Sequence, residues 1–193
     1  MFATNHFSTL QTDRLILRQL TIEDIDFVFQ NFSNPLVTQY LMDEPPVANH
    51  AQAQAIIEFY LEPEGKTYNR WGMIRKTDNK LIGTCGYHKW SKASFRAEIG
   101  YDLSPDYWGQ GYMAEALRAV IQNGFERMKL NRIEALVYVN NHRSIQLLQK
   151  LKFKQEGLLQ DYFCLDGVFF DHCLFALLRR EWESQVLKPR QTG

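Results

Sequence analysis

A glycine turn between a strand and a long helix constrains the fold of this chain more than any other feature. Residues 98–103 have the composition of a β-strand, residues 108–112 read Trp-Gly-Gln-Gly-Tyr, and apolar residues recur at helical spacing over 113–128. Backbone N–H groups converge on an anion at such a turn, and the helix dipole adds to the attraction. The turn predicts a phosphate-binding cradle, although glycines placed only for backbone geometry produce the same pattern.

Two common nucleotide-binding patterns do not fit this turn. The dinucleotide-binding fingerprint requires a third glycine, which does not follow at its spacing, and the strands before the turn read as a meander. A P-loop requires Gly-Lys-Ser or Gly-Lys-Thr at the end of the turn, where this chain has Gly-Tyr-Met. A dinucleotide-binding protein is therefore the least favoured of the alternatives.

Strands and helices alternate around the turn. Strands are predicted over 14–20, 71–76, 81–90, 95–103, 132–139, 158–165 and 168–178, and helices over 49–61, 113–128 and 143–151. A further helix begins at Thr21, where Asp24 completes a capping box. The last two strands form a hairpin that turns at Asp166 and Gly167. This order predicts a mixed α/β fold with an antiparallel meander on each side of the glycine turn.

Length and composition limit the function classes. The chain has 193 residues, which favours one domain over residues 1–193. Hydrophobic residues make up 45% of it, enough for a sizeable core. Lys plus Arg and Asp plus Glu both number 22, so no net charge draws the chain to nucleic acid or to an anionic membrane. We expect a folded protein that binds neither directly.

The sequence also indicates the compartment. No apolar run approaches the roughly 20 residues that span a bilayer, and residues 1–12 lack the basic and apolar regions of a secretory signal. We therefore expect a cytoplasmic protein. Cys85, Cys164 and Cys173 are an odd number of cysteines without Cys-x-x-Cys spacing, which argues against disulfides and a zinc site. Buried, reduced thiols and no metal are predicted.

A second motif follows the strand at 132–139, where residues 140–144 read Asn-Asn-His-Arg-Ser. With the glycine turn, it resembles the GCN5-related N-acetyltransferase (GNAT) superfamily, whose pyrophosphate loop follows Arg/Gln-x-x-Gly-x-Gly/Ala and whose later helix begins Asn-x-x-Ser or Asn-x-x-Ala. The blocks 12–18, 97–101 and 171–182 are similar to the branch that acetylates the N-termini of ribosomal proteins. The resemblance covers nearly the whole chain.

The resemblance implies one N-acetyltransferase domain, with its core at about 12–182 and a mixed, mostly antiparallel central sheet flanked by helices. The sheet is expected to splay apart between its fourth and fifth strands, 95–103 and 132–139, and the pantetheine arm of acetyl-CoA to pair with the first of them. The pyrophosphate is expected near Gly111. The implied cofactor-binding residues are Tyr101, Leu103, Trp108, Gly109, Gln110, Gly111, Tyr112, Met113, Asn141 and Ser144.

Four positions depart from the wider GNAT pattern. Trp108 stands where many members have Arg or Gln, and Met113 stands where a small residue is usual, so the cradle relies on backbone donors. Lys152 replaces a common glycine. Leu148 occupies the place where many members carry a tyrosine that protonates the leaving thiolate, which leaves the general acid open.

Catalysis requires that the acceptor amine lose a proton, so a carboxylate is needed as base, directly or through water. Glu98 is the best candidate, because it begins the central strand where several GNAT members place a catalytic glutamate; a salt-bridged surface role is the alternative. Asp102 is a weaker candidate. Ser144 either donates a proton or a hydrogen bond to the departing sulfur, or it only caps its helix or contacts the cofactor. Asn141 either orients amide groups or ends the strand.

These features predict an acetyl-CoA-dependent N-acetyltransferase that works by direct attack in a ternary complex. No cysteine lies beside a recognisable base, so no acetylated thiol is expected. The favoured acceptor is a protein N-terminal α-amine, and a small-molecule amine such as a polyamine or an antibiotic is the alternative. An acyl-CoA-binding module without turnover is the alternative from another class.

Three further groups of residues are candidates for binding, capping or packing roles. Arg143 is placed to reach a phosphate of CoA. Lys150, Lys152 and Lys154 lie near a helix C-terminus, where cations complement the dipole, so a solvated cap is favoured over RNA binding. The aromatic hairpin at the end of the chain packs the core, shapes the acceptor pocket or forms a homodimer contact.

Overall fold

The computed structural model describes residues 6–41, 45–61 and 66–186. An eight-stranded sheet is the main element of the fold. The strands are β1 (Leu10–Gln11), β2 (Leu15–Gln19), β3 (Asn69–Arg75), β4 (Lys80–Ser91), β5 (Arg96–Leu103), β6 (Arg132–Tyr138), β7 (Lys154–Leu165) and β8 (Val168–Leu178). Their order across the sheet is β1-β2-β3-β4-β5-β6-β8-β7. Every neighbouring pair is antiparallel except the parallel pair β5 and β6.

Six α-helices accompany these strands, and the last of them follows the final strand. They are α1 (Ile25–Phe32), α2 (Pro35–Thr38), α3 (His50–Tyr60), α4 (Tyr112–Glu126), α5 (His142–Lys150) and α6 (Arg179–Val186), within the described ranges. The predicted mixed α/β fold with a mostly antiparallel sheet is confirmed. The sequence patterns missed β1, α2 and α6, which are short, and they placed the ends of the other elements within a few residues.

The two faces of the sheet carry separate apolar clusters. Strands and α4 form the larger cluster, in which Trp71, Tyr87 and Phe125 are each at most 1% exposed. The smaller cluster joins α1 and α3 through Val28 and Ile57, both fully buried. Helices thus cover both faces of the central strands, because each face carries apolar side chains that water would otherwise contact.

The parallel pair β5 and β6 separates soon after it forms. Within these described strands, pairing is confined to Arg96–Glu98 of β5 and Arg132–Glu134 of β6. The rest of β5 continues to pair with β4, and the rest of β6 continues to pair with β8. The sheet therefore opens between these strands, the fourth and fifth of the sequence prediction, and the backbone of β5 beyond Glu98 has a free edge.

Local backbone conformations explain two sequence features. Asp166 and Gly167 have φ angles of 50° and 78°, which form the predicted tight turn between β7 and β8. Lys152, which stands where GNAT members often have glycine, has a φ of 68°. A glycine adopts this left-handed conformation without the strain that a lysine side chain imposes.

The three cysteines are free. Cys85 and Cys173 are buried as predicted, and burial raises the pKa of the Cys85 thiol to about 12. The prediction is wrong for Cys164, which is exposed. It lies on β7, the edge strand of the sheet, whose residues are mostly exposed. None of the helices in the described parts of the chain has the length and apolar character needed to cross a membrane.

Candidate active site

A cavity of about 670 Å³ lies where β5 and β6 separate, and we call it the cofactor cleft. The end of β5 forms its floor, and the glycine turn with the first turn of α4 forms one wall. The face of α5 between Asn141 and Lys150 forms the opposite wall. The remaining side is closed by residues of α2 and the segment after it: Leu36, Val37, Gln39, Tyr40 and Leu41. A cleft of this size is in the range of small-molecule sites.

The glycine turn ends in a helix start without a side-chain cap. Gly109 and Gly111 have φ angles of 73° and 80°, and Gly111 is the N-cap of α4. The first turn of a helix has N–H groups without intrahelical acceptors, and here no side chain caps them. Met113 and Ala114 of this turn line the cofactor cleft. The positive end of α4 is therefore available to an anion in the cleft.

An ionic brace holds the turn against the residues between β1 and β2. Glu115 accepts hydrogen bonds from the Arg14 backbone N–H at 2.8 Å, the Arg14 Nε at 2.6 Å and the Thr12 hydroxyl at 2.5 Å. Although partial burial acts in the opposite direction, these bonds hold the pKa of the Glu115 carboxyl below its usual value. Arg14 also donates to the Gln110 carbonyl at 3.0 Å. Sequence reasoning missed this brace, because no motif connects positions about a hundred residues apart.

The start of α5 brings two hydroxyl groups together. The Asn141 side chain accepts the Ser144 backbone N–H at 3.1 Å and so caps the helix. The interpretation of Ser144 as the cap is therefore wrong. Its hydroxyl lies 2.7 Å from the Tyr101 hydroxyl, and burial raises the pKa of Tyr101. Leu148, at the position of the missing tyrosine, is fully buried in the core.

Asp102 lies in the floor of the cleft, and its carboxylate is fully engaged. It forms an ion pair with Arg70 at 2.6 Å and accepts from the Asn31 amide at 2.6 Å. The Thr84 hydroxyl also donates to it. Because three donors already hold this buried carboxylate, it is poorly placed to take a proton from an acceptor.

Glu98 lies at the point where the strands separate, as the last residue of β5 that pairs with β6. It is not among the residues that line the cofactor cleft. Its carboxylate lies 3.0 Å from the Lys89 Nζ, and its side chain is 22% exposed. His88 is its register partner on β4. Burial, with the charges of Arg70 and Lys89, lowers the pKa of His88 to about 3, so this imidazole is neutral near pH 7.

The other predicted site residues mostly meet in the cleft. Nine of the ten predicted cofactor-binding residues line it. Gln110 is the exception. Its side chain turns back along the chain and donates to the Asp106 carbonyl at 2.9 Å. The wall from α2 was not predicted, although Asn34 followed by Pro35 is a recognisable helix start, in which the Asn34 side chain accepts from the backbone N–H of Leu36.

The charges that line the cleft favour an anionic ligand. Asp102 is the single carboxylate among the described lining residues, and Arg70 neutralises it. Arg143 and Lys150 line the cleft without an ion-pair partner among the described residues. Within the same part of the chain, no three His, Cys, Asp or Glu side chains are grouped as metal ligands. The cleft can therefore hold a polyanion with an extended arm along the free edge of β5.

The chain is similar in sequence to several N-acetyltransferases. The chain is 43% identical over 176 residues to the uncharacterized N-acetyltransferase p20 of Bacillus licheniformis, covering 90% of this chain and 98% of that protein. It is 30% identical over 181 residues to the [ribosomal protein uS5]-alanine N-acetyltransferase of Escherichia coli, covering 90% and 92%. It is 25% identical over 185 residues to the spermidine N(1)-acetyltransferase of Escherichia coli, covering 91% and 92%.

The fold and the family agree with the geometry of the cleft. The crystal structure of a GNAT-family acetyltransferase from Bacillus anthracis superposes with a TM-score of 0.80 at 25% identity, covering 90% of this chain and 99% of that one. The family model for the acetyltransferase (GNAT) domain matches residues 14–154. An opened sheet, a glycine turn at an uncapped helix start and these matches lead to one conclusion: the chain belongs to the GNAT family of acetyl-CoA-dependent N-acetyltransferases.

Proposed function

We propose that this enzyme transfers the acetyl group of acetyl-CoA to the α-amine of a protein N-terminus, by direct attack in a ternary complex. The choice of acceptor rests on the relatives of the chain and on the basicity of the amine. The charges of the cofactor cleft, Arg143 and Lys150, suit the phosphates of acetyl-CoA, and Glu98, the proposed base, lies outside that cleft.

The acceptor class is also consistent with one relative that covers most of the chain. The Escherichia coli enzyme that acetylates an alanine of ribosomal protein uS5 is more similar to this chain than the spermidine enzyme. An α-amine has a pKa of about 7.7–8.0, so a useful fraction is neutral near pH 7, whereas a lysine or polyamine amine near 10.4 is almost fully protonated. An α-amine acceptor therefore needs a weaker general base to lose its proton than a lysine or polyamine amine does.

The fit of acetyl-CoA rests on two features of the cleft. The backbone of β5 beyond Glu98 has a free edge that can pair with the pantetheine amides. The uncapped first turn of α4, around Gly111 and Met113, can hold the pyrophosphate with backbone donors. Acetyl-CoA supplies an activated acetyl group, and the chain supplies orientation and proton transfer.

Proton transfer is proposed to involve residues on both sides of the opening. Glu98 accepts the proton of the acceptor amine, directly or through a water molecule, where β5 leaves β6. The Ser144 hydroxyl, which Tyr101 orients at 2.7 Å, donates a hydrogen bond to the departing sulfur. Because Asn141 caps the helix, the Ser144 hydroxyl is not needed for capping.

Replacing Ser144 with Ala is expected to lower kcat about tenfold, because one hydrogen bond to a developing charge is lost. Tyr101→Phe should have a smaller effect in the same direction, since it only orients Ser144. Steady-state kinetics with calorimetric affinities for acetyl-CoA test this, and Ser184→Ala on α6 is the control. An unchanged kcat in Ser144→Ala would remove Ser144 from the reaction.

Acceptor competition tests the proposed function directly. The purified enzyme is incubated with acetyl-CoA and three acceptors: a lysine-free peptide with a free α-amine, an N-terminally blocked peptide with one lysine, and spermidine. Mass spectrometry should find the first acetylated much faster than the others. Preferential acetylation of spermidine would replace the proposal with the polyamine alternative, and cofactor binding without any transfer would favour a binding module. The cytoplasmic location and the homodimer stay predictions.

A further inference from the structure

A β-bulge lies directly beside the proposed base. His88 on β4 pairs in register with Glu98 on β5, and the next pair joins Ser91 to Arg96. Between these pairs β4 has two residues and β5 has one, which defines a bulge. Lys89, in the bulge, has a φ of 49°, and its Nζ lies 3.0 Å from the Glu98 carboxylate. Bulges redirect side chains and are frequent next to active sites.

His88 and Glu98 lie on the face of the sheet opposite to α4. Alternate residues of a strand point to opposite faces, and Tyr101 of β5 packs against the larger apolar cluster, which includes α4. Glu98 and Gly100 therefore point to the other face, and so does His88, the register partner of Glu98. The His88 ring also contacts the Tyr60 ring of α3, with 6.0 Å between their centroids. An amine that reaches Glu98 must approach from the α3 side.

The imidazole of His88 is placed to contact a ligand on this face. A Cβ at Gly100 would lie 3.2 Å from the His88 Nε2, tighter than ordinary van der Waals contact, so the ring uses space that a glycine leaves. Gly100 belongs to the part of β5 that no longer pairs with β6, which places Nε2 beside the opening of the sheet. Within the described residues, neither ring nitrogen of His88 has a hydrogen-bond partner.

The protonation state of His88 suits contact with an amine. Burial, with the charges of Arg70 and Lys89, lowers its pKa to about 3, so the ring is neutral near pH 7. A neutral imidazole has one nitrogen that accepts a hydrogen bond, whereas an imidazolium has none and would repel an ammonium group.

We infer that His88 binds the acceptor amine and orients it for attack on the acetyl group. An ammonium group has three N–H groups, and one of its protons moves to Glu98. One of the two remaining N–H groups donates to the His88 Nε2. This bond restricts the rotation of the amine and favours the orientation in which its lone pair faces the acetyl group. The inference rests on the proposed function and names a substrate-binding residue of the same site.

Steady-state kinetics with the lysine-free peptide test this inference. His88→Phe keeps a ring beside Tyr60 but removes both nitrogens. It should lower kcat/KM for the peptide about tenfold, the effect of one hydrogen bond, while the calorimetric affinity for acetyl-CoA stays at the wild-type value. His88→Gln, which has an amide oxygen at a similar reach, should recover most of the loss. A purely structural role would not be recovered by a side chain without a ring.

His50→Phe is the matched control, since it makes the same change at the first residue of α3, the end of the helix away from Tyr60. His50 is exposed and lies 3.0 Å from Asp26, and its variant should keep wild-type kinetics. Wild-type kcat/KM in His88→Phe, a loss of acetyl-CoA affinity in it, or an equal loss of kcat/KM in His88→Gln would overturn the inference and leave the proposed function intact. A wild-type enzyme that acetylates no peptide α-amine would overturn both.

Discussion

Replacing Glu98 with Gln is expected to lower kcat about 10²- to 10⁴-fold, the usual contribution of a general base, while the affinity for acetyl-CoA is unchanged. Gln has nearly the same shape as Glu but does not accept the proton of the acceptor amine. Glu98 lies where β5 leaves β6 and outside the lining of the cofactor cleft, so its loss should not alter the cofactor site. The loss should be greatest at low pH, where most of the acceptor is protonated.

Glu134→Gln is the control for this experiment. Glu134 is the register partner of Glu98 on β6, and Arg96 and Arg132 hold its carboxylate at 2.8 Å and 2.6 Å. Initial rates across pH, with calorimetric affinities for acetyl-CoA, are measured for both variants. A Glu98→Gln enzyme with the wild-type rate, or an equal loss in Glu134→Gln, would show that Glu98 is not the base.

Replacing Gly111 with Val is expected to weaken acetyl-CoA binding roughly 100-fold or more, because two or more charge-assisted hydrogen bonds at the start of α4 are lost. Gly111 has a φ of 80°, a conformation that strains a residue with a Cβ by about 1–2 kcal/mol. The nearest atom to a Cβ at this position is a guanidinium nitrogen of Arg14, at 3.5 Å. That distance is ordinary van der Waals contact, so the strain comes from the positive φ and the loss of binding from the altered turn.

Gly167→Val separates the binding effect from the backbone strain. Gly167 has a φ of 78°, has open space around its Cβ position and lies in the hairpin turn between β7 and β8, away from the cleft. Both variants should lose similar unfolding free energy in chemical denaturation, and only Gly111→Val should lose calorimetric binding. Wild-type affinity in Gly111→Val would mean that the glycine turn is structural and does not hold the cofactor.

Sequence patterns predicted the parts of this protein that depend on neighbours along the chain. The period of apolar residues located α4, whose buried side includes Leu117 and Phe125. The hairpin at Asp166 and Gly167 follows from two residues that tolerate positive φ. Most of the cofactor cleft was also predicted, because the glycine turn and the start of α5 are short motifs that carry their own backbone geometry.

Contacts between distant segments were not predictable in the same way. The Glu115 brace joins α4 to Thr12 and Arg14, and the Asp102 carboxylate meets Arg70 from β3. Neither partner can be identified from spacing, since many carboxylates and cations are equivalent in the sequence. Ser144 shows the same limit: a serine at a helix start suits a cap, a proton donor or a cofactor contact, and only the capping by Asn141 in the structure excludes the first of these.

The sequence by itself determined the order of the longer strands and helices, the glycine turn and most of the residues that line the cofactor cleft, because periodicity and turn chemistry act over a few residues. The tertiary structure decided which charges remain unpaired. It neutralised Asp102 with Arg70, placed Glu98 where the strands separate and brought Arg143 against the Trp108 ring. The physical reason is that pairing and burial depend on distances between residues that are far apart in sequence, and those distances exist only after the sheet has formed.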